Sequence, residues 1–445
     1  MRELLEIAPV SHPELRPYFV QLAARPAWRW CGRVVEASTQ TVESLGPLCS
    51  VGECCEITDS QGVRHAAEVI GFRGRNVLVM PLEPLRGVRY GDSVMATGRT
   101  PSIAVGDNMK GRILNALGEP IDGLPPVKLA QSWSLDGNVP RPLAREPIKS
   151  ALSTGVRAID GMLTVGRGQR VGIFGGSGVG KSTLIGIMTR NTTADVTVVG
   201  LVGERGREVG EFVEDALGEE GRKRSVVVVS TSDQSPLLRM RAAMAATAVA
   251  EFYASQGQHV LLVLDSLTRY AMAAREVGLA AGEPPATKGY TPSVFSRLAR
   301  LVERAGNFQS GSISAFYTVL MEGDDQQDPV ADAVRSLLDG HIILSREMAS
   351  ENWFPPISIL DSLSRLMPAV TTSTHRERAA TIRRLFALHT RSADLVRIGA
   401  YKAGMDLELD RAMLAMPKLR AFLEQGSREP ATLEQTIAQL SALEI

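Results

Sequence analysis

The sequence predicts an α/β chain in three parts: a small antiparallel β-barrel, a mostly parallel sheet covered by helices on both faces, and a helical C-terminal domain. Three observations carry that prediction. Between about Arg29 and Gly98, short runs of β-forming residues are broken by glycine; between Val171 and Ser345, near-continuous apolar runs alternate with helical patterns; after Pro368 no strand signal recurs. With 445 residues, and roughly 100 to 200 residues per domain, the chain has room for all three.

The first part reads as CGRVVEAS, HAAEVIGFRG, NVLVMPLE and GDSVMATG, close-spaced strands that suit a small barrel. Thr100 to Thr154 is rich in proline and glycine and marks the crossing into the second domain. Thereafter VGIFG, VTVVGLVG, SVVVVS, HVLLVLD, SISAFYTVL and HIILS read as buried strands. Helical patterns separate them at Ser182–Arg190, Glu208–Leu217, Pro236–Ser255, Ala271–Val277, Pro292–Ala305 and Asp332–Leu338. His375–Leu388, Leu409–Gln425 and Leu433–Leu443 have helical periodicity, so the expected domains are 1–98, 99–370 and 371–445.

Lys plus Arg and Asp plus Glu are both 49, so no net field points to nucleic acid or an anionic membrane. Cys31, Cys49, Cys54 and Cys55 match no zinc spacing and are expected to be reduced, as in a cytosolic protein. Charges at Arg2, Glu3 and Glu6 exclude an apolar signal-peptide core. Apolar runs such as Val260–Leu264 fall far short of the ~20 residues that span a bilayer, so any membrane contact is expected to be peripheral.

The strongest local signal is Gly175, Gly176, Ser177, Gly178, Val179, Gly180, Lys181 and Ser182, which fits G-x-x-x-x-G-K-[ST] between a strand and a helix. Such glycines fold the backbone into a nest of N–H groups aimed at phosphate oxygens, and the helix start adds positive potential. Lys181 is then the mobile cation for the terminal phosphates, Ser182 a ligand for Mg²⁺, and Thr183 a further phosphate contact. Asp265, ending HVLLVLD, occupies the strand-end position of the second metal carboxylate. A carboxylate on the neighbouring strand end would orient the attacking water. Glu204 and Glu208 both qualify on chemistry alone, and with Arg205 and Arg207 they would otherwise read as a surface ion-pair cluster.

Together, Gly175–Thr183, Gly203–Glu208 (GERGRE) and Asp265–Tyr270 (DSLTRY) resemble the catalytic subunits of rotary ATP synthases and their export relatives. GRILNALGEPIDG, TGVRAIDGMLTVGRGQR, GEPPATKGYTPSVF, LVERAGN and AFYTVLMEGDDQQDP make the type III protein-export ATPases the nearer resemblance, over nearly all of residues 30–400. The resemblance implies a RecA-like P-loop ATPase core between an N-terminal barrel and a C-terminal helical domain. It also implies ATP and Mg²⁺ as cofactors, Glu204 as the catalytic glutamate with Arg205 and Glu208 flanking it, and Arg269 facing the terminal phosphate. ILDSLSRLMP matches the strip that bears the arginine finger, which places that role on Arg365, acting on the adjacent copy of a homohexameric ring. Tyr317 and Phe354 match aromatic positions that line the nucleotide pocket, although periodicity alone makes both ordinary core residues.

The implied activity is ATP hydrolysis that energises protein export, peripherally at an inner-membrane export apparatus. GEPPATKGYTPSVF and EGDDQQDP favour the flagellar over the injectisome branch. A synthase β subunit is disfavoured because no acidic torque motif is evident. An RNA helicase would require a barrel with interleaved basic and aromatic residues, and the barrel here has only Phe72 and Tyr90 beyond Trp28 and Trp30. A nucleotide-stabilised scaffold without turnover is the non-enzymatic alternative. Implied partners are a regulator gripping Met1–Pro17 through Leu4, Leu5 and Leu15, a coiled-coil central stalk, the export gate, and secreted substrates with their chaperones at the helical domain.

Overall fold

The computed structural model describes residues 30–127, 129, 131–321 and 328–444. Trp28, the Met1–Pro17 stretch and residues 322–327 of EGDDQQDP lie outside the described residues. The chain divides into two units, Met1–Pro101 and Ser102–Ile445.

In the first unit, six strands form a closed antiparallel barrel in the order β1-β2-β5-β4-β3-β6. They are β1 (Cys31–Ala37), β2 (Val42–Leu45), β3 (Cys54–Thr58), β4 (Arg64–Arg73), β5 (Asn76–Pro81) and β6 (Ser93–Ala96). Val34, Val42, Cys55, Ile57, Val69, Val79 and Val94 fill the interior, because alternate residues of a strand face the same side and β-branched side chains suit the pleat. Closure leaves no strand edge unpaired. None of the four cysteines is in a disulfide, and burial pushes the Cys55 thiol up, which keeps it unreactive.

The second unit is built on a sheet whose strand order is Ile357–Ser364, Gly340–Leu344, Arg170–Gly175, Ser312–Leu320, His259–Asp265, Val196–Glu204, Ser225–Thr231 and Ile113–Asn115. Every neighbouring pair is parallel except the first, and Gly306–Asn307 pairs off this path with Ser312–Leu320. The inner strands are buried along nearly their whole length, as a parallel sheet covered on both faces requires. Covering helices start where the sequence provides caps. Ser235 accepts from Leu238 N ahead of Pro236–Ser255, and Asp328 accepts from Val330 N and Ala331 N ahead of Pro329–Leu337.

Both edge strands escape the apolar-run signal. Ile113–Asn115 is only three residues long and sits inside the proline- and glycine-rich stretch. Ile357–Ser364 alternates buried with half-buried or exposed residues because it closes the sheet on one side only. The helix expected over Glu208–Leu217 starts at Gly206, widens into a π turn over Phe212–Leu217 and continues to Lys223.

Helices Ser373–Arg397, Leu407–Leu423 and Leu433–Ala442 form the C-terminal part, capped by Thr372, Asp406 and a capping box between Thr432 and Gln435. Leu385, Phe386, Leu419 and Phe422 join the cluster that also holds Ile159 and Ile185, so this part shares its core with the nucleotide-binding fold. The far end of the first helical pair exposes Ile398, Leu407 and Leu414.

Candidate active site

The strand Arg170–Gly175 delivers the glycine loop to the carboxyl edge of the sheet, and helix Lys181–Asn191 begins directly after it. Gly178 at φ 78° and Gly180 at φ 96° adopt the left-handed conformation that curls the loop around its N–H groups. Ser177, Gly178, Ser182 and Thr183 are exposed while Val179 is buried, so the cradle opens outward and is anchored beneath. The Lys181 ammonium folds back onto the carbonyls of Gly175, at 3.1 Å, and Gly176. Burial lowers its pKa, while Asp265 and Glu204 oppose that shift and Arg269 and Arg346 add to it. Lys181 is thus a desolvated cation whose direct partners among the described residues are carbonyls, poised to exchange them for an anion.

Asp265 lies two strands along the same edge, in register with Leu201 of the next strand, and is 6% exposed. The Thr318 hydroxyl donates to its Oδ1 at 2.6 Å, a charge-assisted bond of about 1.5–3 kcal/mol that fixes the carboxylate. Burial raises the Asp265 pKa, and Thr318 and Lys181 pull it back. Among the described residues no group of three or more His, Cys, Asp or Glu side chains forms a cage for a metal. Asp265, at the carboxyl end of its strand, and the exposed Ser182, in the first turn of the helix after the loop, are oxygen-only donors, a chemistry that fits Mg²⁺, an ion that takes its remaining ligands from phosphates and water.

Glu204 ends the next strand and is held by Arg269, whose Nη2 donates to Oε2 at 3.2 Å while Nη1 donates to the Gly203 carbonyl. Burial, a hydrogen bond shared with Glu208 and the nearby Asp265 push the Glu204 carboxyl up to about 8. Glu208 moves the other way, lowered by that same hydrogen bond. The opposite directions mean that the contact between the two carboxyls favours the protonated form of the buried Glu204 and the ionised form of Glu208.

The loop, Lys181, Glu204, Asp265 and Arg269 therefore come together. Arg205 does not join them: its side chain is 72% exposed and pairs with Glu208 at 3.6 Å, as Arg207 pairs with Glu211 on the surface. Phe354 stands at the loop, where a side chain on Gly180 would meet its ring at 3.6 Å. Tyr317 corrects the expectation from resemblance. It is fully buried in mid-strand, and its hydroxyl is directed at the Val302 carbonyl, 3.5 Å away. Register explains this: Gly175 pairs with Leu320, so residue 317 lies three positions below the edge and inside the core.

Arg365 is exposed at the opposite edge, where its N–H donates to the Asp339 carbonyl beside Arg170. The strand Arg170–Gly175 separates it from the loop of its own chain by roughly 17 Å at ~3.3 Å per residue. Sequence reasoning missed Thr318 and Arg346. The Arg346 guanidinium packs so closely on Gly176 that a Cβ there would have no room. Thr318 was readable in principle, as a hydroxyl on the strand beside Asp265.

Comparisons with known proteins agree with this geometry. The ATP synthase alpha/beta family matches in its beta-barrel domain over residues 32–98 and in its nucleotide-binding domain over residues 155–364; the T3SS EscN ATPase C-terminal domain matches residues 371–442. The "Flagellum-specific ATP synthase" of Bacillus subtilis is 49% identical over 93% of this chain and 94% of its own. The "Type 3 secretion system ATPase" of Sinorhizobium fredii is 45% identical over 93% and 92%. Among solved structures, the assembled ATPase EscN of enteropathogenic E. coli superposes with a TM-score of 0.88 at 43% identity, covering 92% of this chain and 98% of that one. EscN in complex with its central stalk EscO gives 0.85 at 42% identity over the same shares. This chain belongs to the type III protein-export ATPases, within the ATP synthase alpha/beta family.

Proposed function

We propose that this chain hydrolyses Mg²⁺-bound ATP to energise type III protein export, in the flagellar branch, as a ring of identical copies. One observation carries the reading. The loop, Lys181, Glu204 and Asp265 converge on one sheet edge, while the exposed Arg365 lies at the other.

In this reading the loop N–H groups and Lys181 grip the phosphates, and Phe354 covers the base. Glu204 takes a proton from the attacking water when ionised, and Arg269 orients it. Ser182 and Asp265 would hold Mg²⁺, which when bound neutralises charge on the phosphate oxygens. Arg365 of one copy would complete the site of the next, as arginine fingers do for a gain of ~10³ to 10⁵ in rate. The assembled state of EscN and its central stalk EscO support self-assembly and a stalk partner for this chain as well. No helix among the described residues is long and apolar enough to cross a membrane, so attachment to an export apparatus would be peripheral.

The flagellar assignment draws on the higher identity to the flagellum-specific relative, 49% against 45%. Steady-state phosphate release tests the enzyme. Specific activity is expected to rise with protein concentration, and Glu204→Gln to bind ATP yet release no phosphate. Turnover unchanged by that substitution would sink the assignment.

A further inference from the structure

Phe354 is held from the helical part of the chain. Its carbonyl accepts from the backbone N–H of Gln425 at 2.8 Å, across 71 positions of sequence (425 − 354 = 71). Trp353, the preceding residue, packs beneath the Arg420 guanidinium, 4.9 Å from the ring centroid, and 6.3 Å from the Phe386 ring. The aromatic beside the phosphate loop thus rides on a turn that follows helix Leu407–Leu423.

Gln425 is 4% exposed and every polar atom of its side chain is engaged. Oε1 accepts from Arg157 N at 2.8 Å, and Nε2 donates to the carbonyls of Gly155 at 2.8 Å and Glu429 at 2.9 Å. Arg157 clasps the same turn from the other side, donating to the carbonyls of Phe422, at 2.8 Å, and Glu424 and to the Glu429 carboxylate. The start of helix Arg157–Met162 is itself fixed by the fully buried Asp160, which accepts from Thr154 N at 2.9 Å and Gly155 N at 3.2 Å. Along this chain of bonds the amide of Gln425, beside the Arg157 clasp, joins the core helix directly to the residue whose backbone locates Phe354.

We propose that Gln425 is a positioning residue for the nucleobase: it registers the 424–429 turn against Gly155 and Arg157, and so sets where the Phe354 ring meets the base. The inference rests on the reading that Phe354 covers the base. The phosphates are held by the glycine loop, which Gln425 does not touch. Loss of its amide therefore weakens recognition of the nucleoside end and leaves the triphosphate end intact.

The test is calorimetric titration of the full chain with ATP and with inorganic tripolyphosphate, both with Mg²⁺, alongside steady-state kinetics. Gln425→Met keeps the volume and removes the hydrogen bonds; Gln425→Asn keeps the amide but withdraws it by one methylene. Both are expected to weaken ATP by roughly five- to tenfold, the scale of one aromatic contact. Tripolyphosphate affinity should hold within about twofold, and KM should rise with kcat nearly constant, the signature of lost uniform binding. Phe354→Ala should show the same selective loss. Equal weakening of both ligands by the Gln425 variants would mean a loosened phosphate loop and would overturn the proposal. If Phe354→Ala acts selectively but the Gln425 variants leave ATP affinity unchanged, the positioning role fails while the base reading stands. If Phe354→Ala leaves the ratio of the two affinities unchanged, the base reading fails and the positioning role falls with it.

Discussion

The two edges of the central sheet differ in how their charges are satisfied. At the carboxyl edge, Lys181, Glu204, Asp265 and Arg269 are buried or half-buried: Arg269 bonds Glu204, Lys181 bonds the loop carbonyls, and Thr318 bonds Asp265. At the opposite edge, Arg365 is exposed, and its backbone is fixed by Asp339 while its side chain projects from the surface. Burying a cation without a partner is costly, so a guanidinium awaiting a site on another molecule has to stand in water until assembly. In the proposed ring, that difference between the edges would divide one reaction chamber between two copies.

The largest expected effect breaks that division outright. Arg365→Ala should slow turnover by ~10³ to 10⁵ while ATP binding to the single chain stays intact. Lys181→Ala should be inactive for the complementary reason. Mixing the two dead proteins should restore activity, because some junctions would then join an intact loop to an intact arginine. If the mixture stays dead while the copies still assemble, Arg365 does not act across the junction.

A smaller effect sharpens the carboxyl edge. Thr318→Val keeps shape and burial but removes the 2.6 Å bond that fixes Asp265. Outer partners of metal ligands are typically worth 10- to 100-fold, so the Mg²⁺ concentration for half-maximal activity should rise by about tenfold. An unchanged Mg²⁺ dependence would remove Asp265 from the metal site.

The comparison also explains what was legible in the sequence. Gly175–Ser182 and the apolar run ending at Asp265 are local patterns, so the loop, the carboxylate and the sheet that carries them could be read directly. The barrel and the helical domain followed from periodicity. Long-range register was not legible. It put Tyr317 in the core three positions below the edge, brought Thr318 to Asp265, and laid Arg346 on Gly176. The outward course of Arg205 was not legible for a related reason: proximity in sequence to Glu204 says nothing of the direction its side chain takes at the start of the next helix. Edge strands were missed because a strand that is short or covered on one side lacks the apolar run that marks an inner one.

The smallest effect concerns how the carboxyl edge tunes its proton acceptor. Glu204, pushed up to about 8 by burial and by Glu208 and Asp265, favours its protonated form at neutral pH. Only its ionised form accepts a proton, and kcat/KM reports the free enzyme, so that parameter should climb with pH through about 8. Glu208 contributes a like charge and a hydrogen bond that hold the proton on Glu204. Glu208→Gln should therefore move the ascending limb to lower pH, by about one unit or less. Stability gives an independent sign. A carboxyl whose folded pKa is raised binds more protons folded than unfolded, so stability falls as pH rises from the ordinary glutamate value towards 8. Glu204→Gln removes that loss and should raise the melting temperature at pH 8 relative to the parent more than it does at pH 5. A limb that stays in place in Glu208→Gln, together with a pH-independent stability difference for Glu204→Gln, would mean that Glu208 does not favour the protonated form of Glu204, and the carboxyl edge would lose its means of holding the acceptor in reserve.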